Sequence, residues 1–280
     1  MIRFAYMEEF DTEFIRWTGN LFRRFLQEGS VAVVRQNEAP DFIIASIWRA
    51  HDFPKDIPVV LISNENWDVF KPHHDLSRYH AVFGILPPPL QLGNVRQFIP
   101  YRFESVYYDC SVDELYGLRA EFLKAPREKF CCFVTSNRYF GEMKKTREEV
   151  FHRIHGWKAV DSAGLELNNV GYLAPRGVEY LHWIAQYRYM ISLENSKTLG
   201  YITEKAFQSW IAGTIPVYDG GSLDKLNPEA FINASGDYMR ELQDLESSRL
   251  LYTQRQNVEL YREKVSLEPF EARFREVFRL

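Results

Sequence analysis

The stretch Ser192–Gly220, SLENSKTLGYITEKAFQSWIAGTIPVYDG, decides how the chain is organised. An apolar strand pattern ends near Glu194 and Asn195, and a polar loop holding Gly200 follows. Thr203 stands where a helix N-cap belongs, with Glu204 and Lys205 in the first turn of a helix predicted over Glu204–Ala212. Phe207, Trp210 and Ile211 supply its i, i+3, i+4 apolar side, and Gly213 ends it. The apolar run TIPVY comes next, a second strand. Continuous apolar strands separated by a helix are the repeating unit of a parallel sheet covered on both faces. The first turn of such a helix presents free N–H groups and partial positive charge that suit a phosphate, and Lys205 adds a full charge beside them. Glu204 in the same turn has two readings. It is either an acid favoured by the helix dipole, or a carboxylate facing sugar hydroxyls or developing positive charge.

The same alternation extends outward. KFCCFVTS, from Lys129, reads as a buried strand, and Thr146–Trp157 as a helix with Val150, Ile154 and Trp157 aligned. A helix over Val178–Tyr187 precedes the strand YMISLEN, and from Tyr238 onward the pattern is helical. The N-terminal part gives strands at Ile2–Tyr6, Val31–Val34, Phe42–Trp48, Pro58–Ser63 and Ala81–Leu86. A helix carrying Phe14, Trp17, Leu21 and Phe25 separates the first two. Between the two series, Ser105–Arg127 is polar and helix-compatible, which puts a domain boundary near residue 120. The expected architecture is therefore α/β, with two Rossmann-like lobes over residues 1–120 and 121–280 and an interdomain cleft. In open α/β sheets ligands sit outside the carboxyl ends of the strands.

Composition narrows the function classes. A chain of 280 residues with 46% hydrophobic and 26% charged residues is neither disordered nor low-complexity. Lys+Arg 34 against Asp+Glu 38 gives a net charge of −4, which argues against nucleic acid as a partner. Cys131 and Cys132 lie inside an apolar run and read as reduced core residues; with Cys110 they form no CxxC pair. His73 and His74 are adjacent in a loop, and HExxH, CxxC and DxD arrangements are absent, so no metal site is expected. Ser136 and Ser192 lack a nucleophile-elbow context. The opening MIRFAYMEEF lacks a signal-peptide layout and no apolar run is long enough to span a membrane, so a soluble, cytoplasmic protein is expected. The tail PFEARFREVFRL places Phe270, Phe274, Val277 and Phe278 on one helical side. Packing onto the protein itself is the favoured reading, and weak peripheral contact at an inner membrane is the alternative.

Three groups of residues carry a family resemblance. The block ENS…GYITEKAF…AGTIPVY resembles the donor-binding signature of glycosyltransferase family 10 (GT10), the α-1,3/4-fucosyltransferases, with matching spacing from Asn195 to Tyr201. FVTSN…TREEVF…KAVDSAG…NNVG is similar to the first strand of that family's donor lobe and the segment after it. LISNENWDVF is similar to its acidic acceptor-lobe segment, although Asn64 stands where the family usually has glycine. The likeness covers about Lys129–Asn233 and is thin before that.

The resemblance implies a GT-B enzyme of bacterial type that transfers L-fucose from GDP-β-L-fucose with inversion, using no metal or other cofactor. It implies a glycan acceptor containing N-acetylglucosamine or glucose, and an α-1,3 or α-1,4 linkage. By position, Glu65 would be the general base, Arg147 and Lys205 would hold the diphosphate, and Glu204 would contact donor hydroxyls and stabilise oxocarbenium character. Asn195 and Tyr201 would line the nucleotide-sugar pocket. A solvated loop acid is the other reading of Glu65, and Arg138, Lys144 and Lys145 are alternatives to Arg147 at the phosphates. Another nucleotide sugar as donor, or a catalytically silent nucleotide- or glycan-binding relative, are the competing functions.

Overall fold

The computed structural model describes residues 1–7, 31–46, 56–63, 75–84, 95–97, 108, 110–136, 143–262 and 268–278. In chain order the first strands are β1 (Ile2–Tyr6), β2 (Val31–Val33), β3 (Phe42–Ala45), β4 (Val59–Ile62), β5 (Ala81–Gly84) and β6 (Val95–Gln97). Helix α1 (Val112–Phe122), β7 (Lys129–Phe133), α2 (Met143–Trp157), β8 (Val160–Ser162), α3 (Val178–Ile184) and β9 (Tyr187–Ile191) follow. Then come α4 (Glu204–Ile211), β10 (Ile215–Tyr218), β11 (Ile232–Asn233), α5 (Tyr238–Ser247), α6 (Arg249–Gln256) and α7 (Glu268–Val277). The expected N-terminal helix over Phe14–Phe25 lies outside the described residues.

The chain divides into one unit of Met1–Asp109 with Val265–Leu280 and another of Cys110–Lys264. The division after Asp109 lies before the boundary expected near residue 120, and Val265–Leu280 falls in the first unit. Helix α1 begins with a capping box, Ser111 Oγ accepting from Glu114 N at 3.1 Å and the Glu114 carboxylate accepting from Ser111 N at 2.6 Å. It then buries Leu115, Arg119 and Phe122. Arg119 bonds to the carbonyls of Trp210 and Gln256, which fixes α1 within the second unit. The C-terminal helix α7 belongs to the first unit, for the packing reason given next.

In the first unit six parallel strands lie in the order β2-β1-β3-β4-β5-β6. Strands β3, β4 and β5 are buried throughout, and their alternate residues serve opposite faces. Phe42, Ile44, Val60, Ile62, Ala81 and Phe83, with Phe4 from β1, pack with Phe274, Val277 and Phe278. Ile43, Ala45, Val59, Leu61 and Val82 turn the other way, onto Leu76 and Tyr79. Phe274, Val277 and Phe278 of the tail are thus taken up by the protein's own core. No helix among the described residues is long and apolar enough to cross a membrane.

The second unit has a five-stranded parallel sheet in the order β11-β10-β9-β7-β8. The chain leaves β7 for the edge strand β8 and returns on the opposite side of β7 as β9. The reversal makes a topological switch point at the carboxyl ends of β7 and β9, where doubly wound sheets bind ligands. Phe133, Val150, Phe151, Ile154, Tyr189, Ile191, Val217 and Leu242 fill one core. Cys131 and Cys132 are buried within β7, as expected for reduced core residues.

Several boundaries differ from those read in the sequence. Helix α2 starts at Met143 rather than Thr146, and its Trp157 is 39% exposed, meeting Phe130 edge-on instead of joining the core. Helix α3 stops at Ile184, and Tyr187 opens β9 rather than closing the helix. The two short strands β6 and β11 have too few residues to show a period.

Candidate functional site

Past the last regular residues of β9 and β10 the backbone pairing continues, with Ser192 N donating to Val217 O at 2.9 Å and Glu194 N to Asp219 O at 3.0 Å. This delivers Glu194 and Asn195 to the carboxyl edge of the sheet at the switch point. The chain then loops back over 196–203, where Gly200 N donates to Ser222 Oγ at 2.7 Å. A β-carbon on Gly220 would lie 2.7 Å from Tyr218 Oη and 2.8 Å from Glu194 Cγ, and one on Gly221 would overlap the Thr198 carbonyl. Glycine at both positions lets the two loops touch.

Arg147 reaches the same place from β7's side. It lies one turn before Val150 and Phe151 and two before Ile154, so it belongs to the core-facing side of α2 and is buried. Its Nη1 donates to Asn195 Oδ1 at 2.6 Å, bridging the switch point from α2 to the end of β9. Burial lowers the guanidinium's pKa, while Tyr201, Glu148 and Glu194 act in the opposite direction. Arg147 is the fifth residue of α2, past the four whose N–H groups are free of helical bonds. Lys144 and Lys145 point elsewhere. They pair along the helix with Glu148 at 3.8 Å and Glu149 at 3.6 Å, with side chains 49% and 86% exposed.

Helix α4 brings the third component. Thr203 occupies the N-cap position in extended conformation, yet its side chain makes no capping hydrogen bond. The hydroxyl is turned to Glu194, donating to Oε2 at 2.6 Å, and it accepts from Lys205 Nζ at 2.8 Å. Lys205 Nζ also lies 3.4 Å from Glu194 Oε2 and 3.5 Å from Glu204 Oε1. Glu194 is fully buried, and its Oε1 accepts from Thr203 N at 2.7 Å and Tyr218 Oη at 3.0 Å. Burial pushes its carboxyl pKa up; Lys205 and the Thr203 bonds oppose the shift, while the Glu204 charge adds to it. Tyr201 is buried in the loop just before α4.

The far end of α4 is held as firmly. Gly213 takes a positive φ of 67°, and Arg127 Nη2 donates to Ala212 O at 2.8 Å. Gln256 Nε2 donates to Gly213 O at 2.6 Å, and Arg119 donates to Trp210 O with its guanidinium 3.9 Å from the indole. Two guanidiniums thus meet the negative end of the helix dipole.

Of the residues singled out by sequence, Arg147 and Asn195 are brought into direct contact, and Lys205 and Glu204 into an ion pair. Glu194 lies close enough to act electrostatically on Arg147 and Lys205 alike. Glu65, Asn64, Arg138, His73 and His74 lie outside the described residues. The sequence reading did not single out Glu194, Tyr218 or Ser222 as site residues. The available signal was the glycine pair closing a buried strand, which marks a close backbone approach.

A family model described as Glycosyltransferase family 10 (fucosyltransferase), C-terminal part, matches residues 124–263, half of the sequence. The chain belongs to glycosyltransferase family 10. The family 10 match contains Arg147, Glu194, Asn195, Tyr201, Glu204 and Lys205. An α-(1,3)-fucosyltransferase of Helicobacter pylori is 31% identical over 106 residues, which are 37% of this chain and 21% of that protein. This family 10 chain therefore matches about a fifth of the relative's length. A crystal structure of an α1,3-fucosyltransferase with GDP-fucose superposes with a TM-score of 0.73 at 17% identity, over 100% of this chain and 90% of that one. An α-glucosyltransferase in complex with UDP and a 13-mer DNA superposes at 0.61 and 12% identity, over the whole of both chains. These likenesses establish the GT-B fold.

Proposed function

We propose that the chain transfers L-fucose from GDP-β-L-fucose to a glycan hydroxyl, inverting the anomeric centre. The observation that carries this reading is the half-buried Arg147–Asn195 contact at the switch point, beside a helix whose N-cap side chain is turned away from capping and whose first turn bears Lys205. Departure of GDP leaves extra negative charge on two phosphates. An Arg fork, an ammonium and a helix N-terminus can take up that charge without a metal ion. The solved relative carrying GDP-fucose supports the choice of donor.

In this mechanism the donor's diphosphate lies against Arg147 and Lys205, and Glu204 faces donor hydroxyls and the developing oxocarbenium charge. Asn195 orients the Arg147 guanidinium while Tyr201 lines the pocket. Single displacement needs one base on the face opposite the leaving group. Glu65 has that role, taking the proton of the acceptor hydroxyl. An acceptor containing N-acetylglucosamine or glucose, joined α-1,3 or α-1,4, completes the reading.

A thermal-shift and GDP-release panel tests it, using GDP, GDP-fucose, GDP-mannose and UDP-galactose with EDTA present. Stabilisation by GDP and GDP-fucose, together with acceptor-dependent GDP release from GDP-fucose, is expected. Selective stabilisation by UDP-galactose would overturn the donor, and loss of activity in EDTA would overturn the metal-free phosphate site. Glu65→Gln is expected to abolish transfer while leaving GDP binding intact. Normal turnover by that variant would remove Glu65 from the mechanism.

A further inference from the structure

The carboxylate of Glu194 has no exposure, yet it stands at the sheet edge beside the groups assigned to the diphosphate. Burying a carboxylate is costly unless its lone pairs are satisfied and a cation is near. Here both conditions are met by a specific set of neighbours. Oε1 accepts from Thr203 N and Tyr218 Oη, and Oε2 accepts from Thr203 Oγ1 and faces Lys205 Nζ at 3.4 Å. All four neighbours present hydrogens, the arrangement of an ionised carboxylate, which only accepts. Gly220 and Tyr218 close the pocket from the adjacent strand, leaving no room for a β-carbon between them and Glu194.

Two consequences bear on α4. The ammonium of Lys205, on a flexible four-carbon stem, is held by Thr203 Oγ1 and Glu194 together. The Thr203 hydroxyl, occupied by these two groups, makes no bond to the amides of the first turn. An N-cap threonine ordinarily satisfies one of those amides.

We propose that Glu194 is a positioning residue, which through Thr203 fixes the Lys205 ammonium for the diphosphate and keeps the N-terminus of α4 clear of its own side-chain cap. This rests on the reading of Lys205 as a diphosphate ligand. Glu194 does not touch the donor; it acts through its neighbours. A carboxylate that merely tied the ends of β9 and β10 together would need neither Thr203 Oγ1 nor Lys205.

The test is a double-mutant cycle read with two probes, GDP and guanosine, in the full chain. Lys205→Ala is expected to weaken GDP binding about ten- to a hundredfold, the loss of a charge-assisted contact. Glu194→Gln preserves size and one accepting oxygen, and is expected to weaken GDP binding about tenfold. The double variant is expected to bind GDP no more weakly than Lys205→Ala alone, because residues acting as a unit are not additive. Guanosine, which lacks phosphates, is expected to bind all variants equally. Full GDP affinity in Glu194→Gln, additive losses, or an equal loss of guanosine binding would each overturn the positioning role. Full GDP affinity in Lys205→Ala would overturn the diphosphate reading itself, a separate outcome. Should Glu194→Gln not fold, Thr203→Val removes the bridging hydroxyl while keeping the backbone N–H. It is expected to show the same non-additive, phosphate-confined loss, and wild-type GDP affinity in it would overturn the proposal.

Discussion

Asn195 shows how much of this site rests on a neutral group. Its Oδ1 accepts from Arg147 at 2.6 Å, so this contact orients the guanidinium without adding a negative charge beside it. A carboxylate here would hold Arg147 equally well, but it would also put a negative charge where the donor brings more. Asn195→Asp differs by one isosteric group and is expected to leave the fold intact. GDP binding at neutral pH is expected to fall about tenfold or more through like-charge repulsion. Isothermal titration against the wild type, with far-UV circular dichroism as the folding control, checks this. Unchanged affinity would mean that the diphosphate does not approach Arg147.

At the level of the element, α4 is loaded differently at its two ends. The N-terminal end holds Glu204 and Lys205 beside the switch point, while the C-terminal end is gripped by Arg119, Arg127 and Gln256. Arg119→Met removes the donor to two buried carbonyls and the cation above Trp210, and is expected to cost about 2–4 kcal/mol of stability, measured by denaturant unfolding. The loss should be structural, with GDP affinity of the folded variant near wild type, since the change is at the opposite end of the helix. The strand–helix–strand order around α4 was legible in the sequence because apolar runs and Gly213 mark it locally. Glu204 and Lys205 stood out in the first turn of that helix, whereas Asn195 and Tyr201 drew notice only through the family pattern. Arg147 was singled out, but it was placed at the start of its helix because α2 begins earlier than its apolar period suggests. Glu194 was not assigned a role because its partners come from two other segments, and contacts between Glu194, Thr203 and Tyr218 leave no periodic trace. Arg119 was missed for a related reason. In a polar stretch a lone arginine reads as surface, and only the carbonyls at the end of α4 and in α6 make it a buried clamp.

For the whole molecule, the two units are built on separate sheets, and the chain's last helix returns to the first of them. Helix α7 closes one face of the N-terminal sheet, where Phe274 is fully buried, its ring 5.4 Å from that of Phe83 and 4.7 Å from that of Phe278. The sequence therefore cannot be cut after the second sheet without uncovering the core of the first. Phe274→Ala keeps the helix-forming backbone and removes a ring from that core, a change expected to cost about 3–5 kcal/mol. Hydrogen–deuterium exchange reads where the loss falls. Amides of β1, β3, β4 and β5 are expected to exchange faster, because Phe4, Phe42, Ile44, Val60, Ile62 and Phe83 share the cluster with Phe274. Amides of β7, β9 and β10 are expected to stay as in the wild type, since their core draws on residues of the second unit. Faster exchange in the second sheet, or none in the first, would show that α7 does not complete the N-terminal core. If the expectation holds, Met1–Asp109 and Val265–Leu280 form one folding unit, and truncating the tail weakens the N-terminal sheet rather than the one that carries Arg147, Asn195 and Lys205.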